Sequence, residues 1–360
     1  MAIRSPSARL WQAAKRGIFD MLGHRVKRRI VSTFNRGMEQ VLMRLAPPFA
    51  AALNRWVPGN QAYDSFAQSG FHLLRKHFYL PIPDETDLAD PMLKDSSDLV
   101  GIDMNEAKAF EFLHEVFPKY QAEFQSAFPI HRQEGSDGFY LVNGGFMAGD
   151  AHVYYTLIRE GRPRRIVEVG GGNSSLLAAA ACLRNLEQYG VKPHLTVVEP
   201  YPWDLLKKGI PGLDVLLEER IQTVDLNLFS SLEAGDILFI DSSHVLRPGG
   251  DVQREYCEIL PRLAPGVLVH IHDISLPKPY FQLYFQNHLY WNEQYLLQAF
   301  LTYNSRYEIV WPGTYMFMKH ADELLKAFPE IAAMREQYPL AEPSSFWLRV
   351  KEPIALARAA

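Results

Sequence analysis

A doubly wound α/β domain, occupying roughly the second half of the chain, is predicted by three features of this 360-residue sequence. From residue 164 onward, short runs rich in β-branched and apolar residues alternate with helical patterns, as parallel strands joined by crossover helices require. The first run opens into Gly170-Gly171-Gly172, a turn set where a buried strand meets a helix. Hydrophobic residues make up 48% of the chain and charged residues 22%, enough apolar material for one large domain plus additions.

In chain order, residues 1–100 read as a basic arm followed by a proline-punctuated connector. The arm carries Arg4, Arg9, Lys15, Arg16, Arg25, Lys27, Arg28, Arg29, Arg36 and Arg44 against only Asp20 and Glu39. Trp11, Ile18, Leu22, Val26, Ile30 and Phe34 recur near helical spacing, so an amphipathic helix is expected, ending before Pro47-Pro48. Two uses of it stay open: attachment to an anionic membrane surface or a protein partner, or packing on its own domain. Within 56–98, Pro58, Pro81, Pro83 and Pro91 argue for irregular structure.

Residues 101–149 form a helical lead-in and an aromatic glycine loop. Ala109, Phe110, Phe112, Leu113, Val116 and Phe117 keep the spacing of a buried helix face until Pro118 ends or kinks it. The α/β domain is expected over 150–320. A helix over 150–159 precedes strands at 164–169, 194–199, 220–224, 236–241 and 266–272. Residues 307–311 and 314–319, joined through Pro312-Gly313, read as two final strands, the last antiparallel. Residues 321–360 close the chain as a helix and tail.

A net charge of −4 gives the whole chain no electrostatic footprint for nucleic acid. Only Cys182 and Cys257 are present, the first in an expected buried helix, so a disulfide framework is not expected and a reducing compartment is favoured. With no long uncharged apolar run and no secretory signal pattern, the cytoplasm is the expected location, with the basic arm as a route to the membrane periphery.

The glycine turn lets backbone approach a ligand closely, and Glu199, at the end of the second strand, can accept hydrogen bonds from both ribose hydroxyls of a nucleoside. Either feature alone also fits a tight connector or a solvated carboxylate. A nicotinamide dinucleotide fingerprint wants a third glycine where Ser175 stands, and no Gly-Lys-Ser/Thr follows the turn for a triphosphate.

At these residues the sequence resembles class I S-adenosylmethionine-dependent methyltransferases. Glu168-Val169-Gly170-Gly171-Gly172 looks like their first motif and Glu199 like their ribose-binding acid; residues 236–241 and 263–269 resemble their fourth-strand and fifth-strand motifs. The likeness spans about 150–319. It implies a mostly parallel seven-stranded sheet in the order 3-2-1-4-5-7-6, with S-adenosylmethionine held by Glu168, Gly170, Gly171, Gly172, Asn173, Ser174, Ser175, Glu199 and Asp241. Ile240-Asp241-Ser242-Ser243-His244 and His270-Ile271-His272-Asp273-Ile274 look like a bacterial subgroup often associated with glycans or secondary metabolites. Some relatives of similar pattern bind a divalent metal through acids after strands 4 and 5, which here would place it at Asp241 and Asp273, with His272 standing where a second acid is usual.

A sulfonium is already an activated methyl donor, so the protein has to align a nucleophile and help it lose a proton. Asp241, His244 and His272 are the expected catalytic groups, serving either through a histidine base or through a cation that lowers a hydroxyl's pKa. The ends of neighbouring strands lie about 5 Å apart, close enough for these groups to converge; ordinary capping and loop hydrogen bonds are the competing use. His270 is expected deeper in the core, Asn292 as a helix cap or an acceptor contact, and Asp150 and His152 as structural groups first, with the acceptor pocket as their other use. The expected activity is methyl transfer to a hydroxyl of a small molecule or glycan. A silent cofactor-binding interaction protein is the alternative, and a nicotinamide-dependent oxidoreductase the third.

Overall fold

A computed structural model describes residues 24–55, 60–74, 76–90 and 93–352, in two compact units, residues 1–81 and 82–360. In the first unit, helix α1 (His24–Arg55) is followed by α2 (Asn60–Gln68). The arm's earlier basic residues, Arg4 to Arg16, and the apolar Trp11, Ile18 and Leu22 lie outside the described residues. Helix α1 does not stop before Pro47-Pro48; both prolines are inside it. Each removes one N–H and crowds the carbonyl four residues back. Those carbonyls belong to Met43 and Arg44, in a stretch, 37–52, where every residue is exposed and water can take them.

In the second unit the lead-in helix Glu106–Glu111 passes into a π turn, Phe112–Val116, and then into α3 (Pro118–Ala127). Pro118 thus falls in the first turn of α3, where no N–H is needed. Helix α4 (Asp150–Gly161) packs beside α5 (Asn173–Tyr189).

Seven strands form one sheet: β1 (Arg165–Val169), β2 (His194–Val198), β3 (Val215–Leu217), β4 (Ile237–Ile240), β5 (Leu268–Ile271), β6 (Tyr307–Pro312) and β7 (Phe346–Val350). Their order is β3-β2-β1-β4-β5-β7-β6, the order the resemblance implies. The first five run parallel, and β7 is antiparallel to both β5 and β6. Alternation divides the core: Ile166, Ile237 and Phe239 face one apolar layer with Tyr154 and Cys182, while Val167, Val169, Leu238 and Ile240 face the other with Val252 and Leu297. Helices therefore cover both faces, as near-continuous apolar strands require.

Three elements differ from expectation. Residues 220–224 are not the third strand; Ile221–Thr223 is a 3₁₀ turn, and β3 comes earlier. Ile221 and Val224 are the buried pair, three residues apart, a helical rather than a strand period. Residues 314–319 belong to a helix, α7 (Gly313–Lys319), preceded along the chain by α6 (Glu293–Leu301). Thr314, Met316 and Phe317 are among its buried positions, and a run as short as 314–319 carries no length cue to separate the two periods. The closing segment is more than a helix and tail: after helices Ala321–Ala327 and Glu330–Gln337 it supplies β7, so the sheet runs on to Val350 rather than ending by residue 320.

Candidate functional site

The site is built at the carboxyl ends of the parallel strands, where open α/β sheets bind ligands. After β1 the chain turns at Gly170 with φ +87°, a left-handed conformation that glycine takes without strain. A Cβ there would lie 1.9 Å from the carbonyl oxygen of Asp241, and one on Gly171 would lie 2.7 Å from Val197 Cγ1. The chain's own strands β1, β2 and β4 demand these two glycines, which is a different reason from the ligand approach expected of them.

Glu199 follows β2 and reaches back across the turn. Its carboxylate accepts from the Gly171 N–H at 3.0 Å and the Tyr201 N–H at 2.7 Å, which fixes its orientation. Beside it opens a cavity of about 380 Å³, lined by Gly170, Glu199, Tyr201, Ile221, Gln222 and Asp241 among others. Asn173, Ser174 and Ser175 begin α5, and Ser175 Oγ accepts from the Gly172 N–H at 3.1 Å. Glu168 takes another place: it is fully buried behind the turn and off the cavity wall. Burial pushes its carboxyl up to about 8, against the hydroxyls of Ser174 and Ser175.

After β4 and β5, three predicted residues converge. Asp241, His244 and Asp273 each offer one donor atom, and these atoms lie within 4.8 Å of one another. His244 Nε2 is 3.3 Å from Asp241 Oδ1 and 3.4 Å from Asp273 Oδ2. His244 and Asp273 both hold positive φ, +58° and +54°, conformations that cost a non-glycine residue about 1–3 kcal/mol and cluster at functional sites.

The fourth member escaped sequence reasoning. Glu293, in the first turn of α6, is wholly buried and meets His244 Nδ1 at 2.9 Å through Oε2. The backbone N–H groups of Asn292 and Glu293 both donate to the His244 carbonyl, so the start of α6 is clamped to the loop after β4. Asn292 serves that clamp, its Oδ1 accepting from the Leu246 N–H at 2.6 Å. Burial would strip His244 of its proton, but Asp241, Glu293 and Asp273 outweigh it and hold the ring's pKa well above the usual histidine value. Burial would likewise raise Asp241, yet His272 and His244 hold it below the usual range.

His272 stands one step back, its Nε2 3.8 Å from Asp273 Oδ1, so the nitrogen nearest both aspartates is that of His244. His270 is fully buried and stacked 3.9 Å from the Phe239 ring; burial drives its pKa well down. Asp150 accepts from the Ser344 and Ser345 N–H groups and ties α4 to the approach of β7. His152 Nδ1 accepts from the Gly149 N–H, and its Nε2 faces Glu330 at 3.2 Å. Asp150 also lines the second cavity, described next, and His152 is not among its described lining residues.

On the other side of the cluster lies a second cavity, about 500 Å³, walled by Phe281, Tyr284, Trp291 and Tyr338, with Asp273 at its edge. Trp291 packs 4.5 Å from the His244 ring and 4.5 Å from Tyr284. None of the described lining residues is Arg, Lys or His.

Residues 167–274, the stretch from β1 through β5 that bears Gly170, Glu199, Asp241, His244 and Asp273, match the family model described as a methyltransferase domain. An uncharacterised protein of Archaeoglobus fulgidus is 33% identical over 165 residues, 44% of this chain and 72% of that one. A candidate methyltransferase from Thermobifida fusca YX is similar in structure, at 17% identity and a TM-score of 0.36, over 56% of this chain and 79% of that one. So is the 4+2 cyclase SpnF, at 15% identity and a TM-score of 0.30, over 71% of this chain and 98% of that one. At these TM-scores neither likeness bears on function.

Proposed function

We propose that the chain transfers a methyl group from S-adenosylmethionine to a hydroxyl of an uncharged small molecule or sugar, assisted by a divalent cation at Asp241, His244 and Asp273. One observation carries this reading: two cavities meet at a single cluster. Asp241 lines the first and Asp273 the second, and His244 Nε2 touches both carboxylates.

The first cavity fits a nucleoside. Glu199 is pinned by two backbone donors and retains lone pairs for ribose hydroxyls, and the volume is within the range of small-molecule sites. When bound, the cofactor supplies a methyl group on a sulfonium, needing no further activation.

The donor set fits a cation too. Neighbouring donors around a tetrahedral ion with bonds of about 2.0–2.1 Å lie about 3.3–3.4 Å apart, which are the separations around His244 Nε2. Glu293 on Nδ1 would hold the ring's remaining proton once a cation replaced the one on Nε2, the usual support behind a metal-ligating histidine. An imidazole in the set favours a transition metal over magnesium. When bound, the cation lowers a hydroxyl's pKa and orients it. As a base alone His244 is poorly placed, because a carboxylate on each ring nitrogen holds a proton there rather than freeing the ring to take one.

The second cavity suits an uncharged acceptor. Its aromatic walls stack against a ring, and carboxylates among its lining residues, with no Arg, Lys or His in that lining, disfavour anions. The open volume favours turnover over a silent binding role. The test has two stages. Calorimetry should show S-adenosylhomocysteine binding to the wild-type chain; no binding rejects the proposal. Transfer from radiolabelled S-adenosylmethionine to a panel of hydroxylated acceptors should then be lost with a chelator and restored by one metal. Transfer indifferent to the chelator removes the cation, and full activity in Asp241→Ala removes the cluster.

A further inference from the structure

We infer that helix α1 binds an anionic lipid surface, lying along it with its apolar stripe down. The inference is independent of the methyl-transfer site. The helix has 32 residues, about 48 Å at 1.5 Å per residue, and across them Arg25, Lys27, Arg28, Arg29, Arg36, Arg44 and Arg55 are opposed by Glu39 alone. Met38, Val41, Leu42, Leu45 and Phe49 follow the i, i+3, i+4, i+7, i+11 spacing of one helix face, and all are 45–59% exposed. An exposed apolar stripe of this length in a soluble domain marks an interaction surface. The same unit also exposes Phe71, Phe78 and Tyr79 at 68–82%, and amphipathic aromatics are favoured at headgroup depth.

Charge selects the occupant. A second copy of α1 would bring seven cations against seven with one acid on each side, and a coiled-coil pair needs complementary charges flanking its seam. An anionic bilayer satisfies both faces together, apolar groups entering the acyl boundary while basic groups meet phosphates. No helix among the described residues is long and apolar enough to cross a membrane, so the contact is interfacial.

The test is sedimentation of the full chain with phosphatidylglycerol vesicles and, separately, phosphatidylcholine vesicles. The wild type should pellet with the anionic vesicles and be released by salt. Leu42→Glu/Leu45→Glu and, independently, Arg28→Gln/Arg29→Gln/Arg36→Gln should each weaken that binding at least about tenfold. Circular dichroism and S-adenosylhomocysteine titration should show the α/β unit unchanged in both variants. Equal pelleting of wild type and variants overturns the inference, as does equal binding to both lipids. So does a wild-type dimer that ignores vesicles and becomes a monomer in Leu42→Glu/Leu45→Glu, which would make the stripe a seam between two chains.

Discussion

At the scale of single residues, the cluster's behaviour turns on Glu293, whose carboxylate is buried and aimed at one ring nitrogen. Glu293→Gln keeps the size but removes the charge that fixes the His244 tautomer. Zinc affinity, measured by calorimetry, should fall about 10–100-fold while S-adenosylhomocysteine binding stays near wild type. Glu199→Ala should do the converse. Losing charge-assisted hydrogen bonds to ribose should weaken S-adenosylhomocysteine by more than about 1 kcal/mol with zinc affinity unchanged. The residues that could be read in advance, Glu199, Asp241, His244 and Asp273, all sit at or just after strand ends, where chain order alone predicts convergence. Glu293 could not be, because 49 residues separate it from His244 and an acid in the first turn of a helix has an ordinary use there. Trp291-Asn292-Glu293, just ahead of an apolar helical run, is the signal the sequence carries for it.

At the scale of elements, strands β1 and β4 lie so close at the turn that Gly170 admits no side chain. Gly170→Ala would set a methyl group against the Asp241 carbonyl and force an alanine into a left-handed conformation. Destabilisation of about 2 kcal/mol or more by urea unfolding is expected, together with loss of cofactor binding, since Asp241 must move. Long, strongly patterned pieces were legible: β1, β2, β4, β5 and β6, and the helix α4, within a residue or two at their ends. Short ones were not. The apolar run Tyr315-Met316-Phe317-Met318 fits either period, and 215–217 is too brief to outweigh the more polar run after it. β7 was missed because nothing local marks 346–350 as the strand that enters between β5 and β6; pairing partners far along the chain decide that.

At the scale of the whole α/β unit, three helices are tied by one buried cation. Arg159 of α4, fully buried, is held by Glu123 of α3 at 2.7 Å and by Asn185 and Gln188 of α5, and Tyr155 also donates to Glu123 at 2.6 Å. Burial would raise the Glu123 carboxyl, but Arg159 and Tyr155 more than offset it, leaving it below the ordinary value of 4.5. A carboxyl depressed in the folded state stabilises above its unfolded pKa, and that contribution is lost as pH falls through the folded value. Stability measured by denaturant from pH 6 down to about pH 3 should therefore fall less steeply in Glu123→Gln than in wild type. Glu123→Ala should cost about 3–5 kcal/mol at neutral pH, because it strands Arg159 without a countercharge.

The placement of β7 also governs how the protein is born. Synthesis delivers β6 first, and between them come the helices of 313–337, yet in the finished sheet β7 is the sole neighbour of β6 and the wall that shields β5. Until residues 346–350 have been translated, the nascent chain carries an unclosed β5 edge and a β6 hairpinned to nothing, both templates for adhesion to other chains. Messages truncated between residues 313 and 345 should thus yield aggregates or chaperone clients rather than a smaller working domain, and sparse codons in that interval would lengthen the exposure.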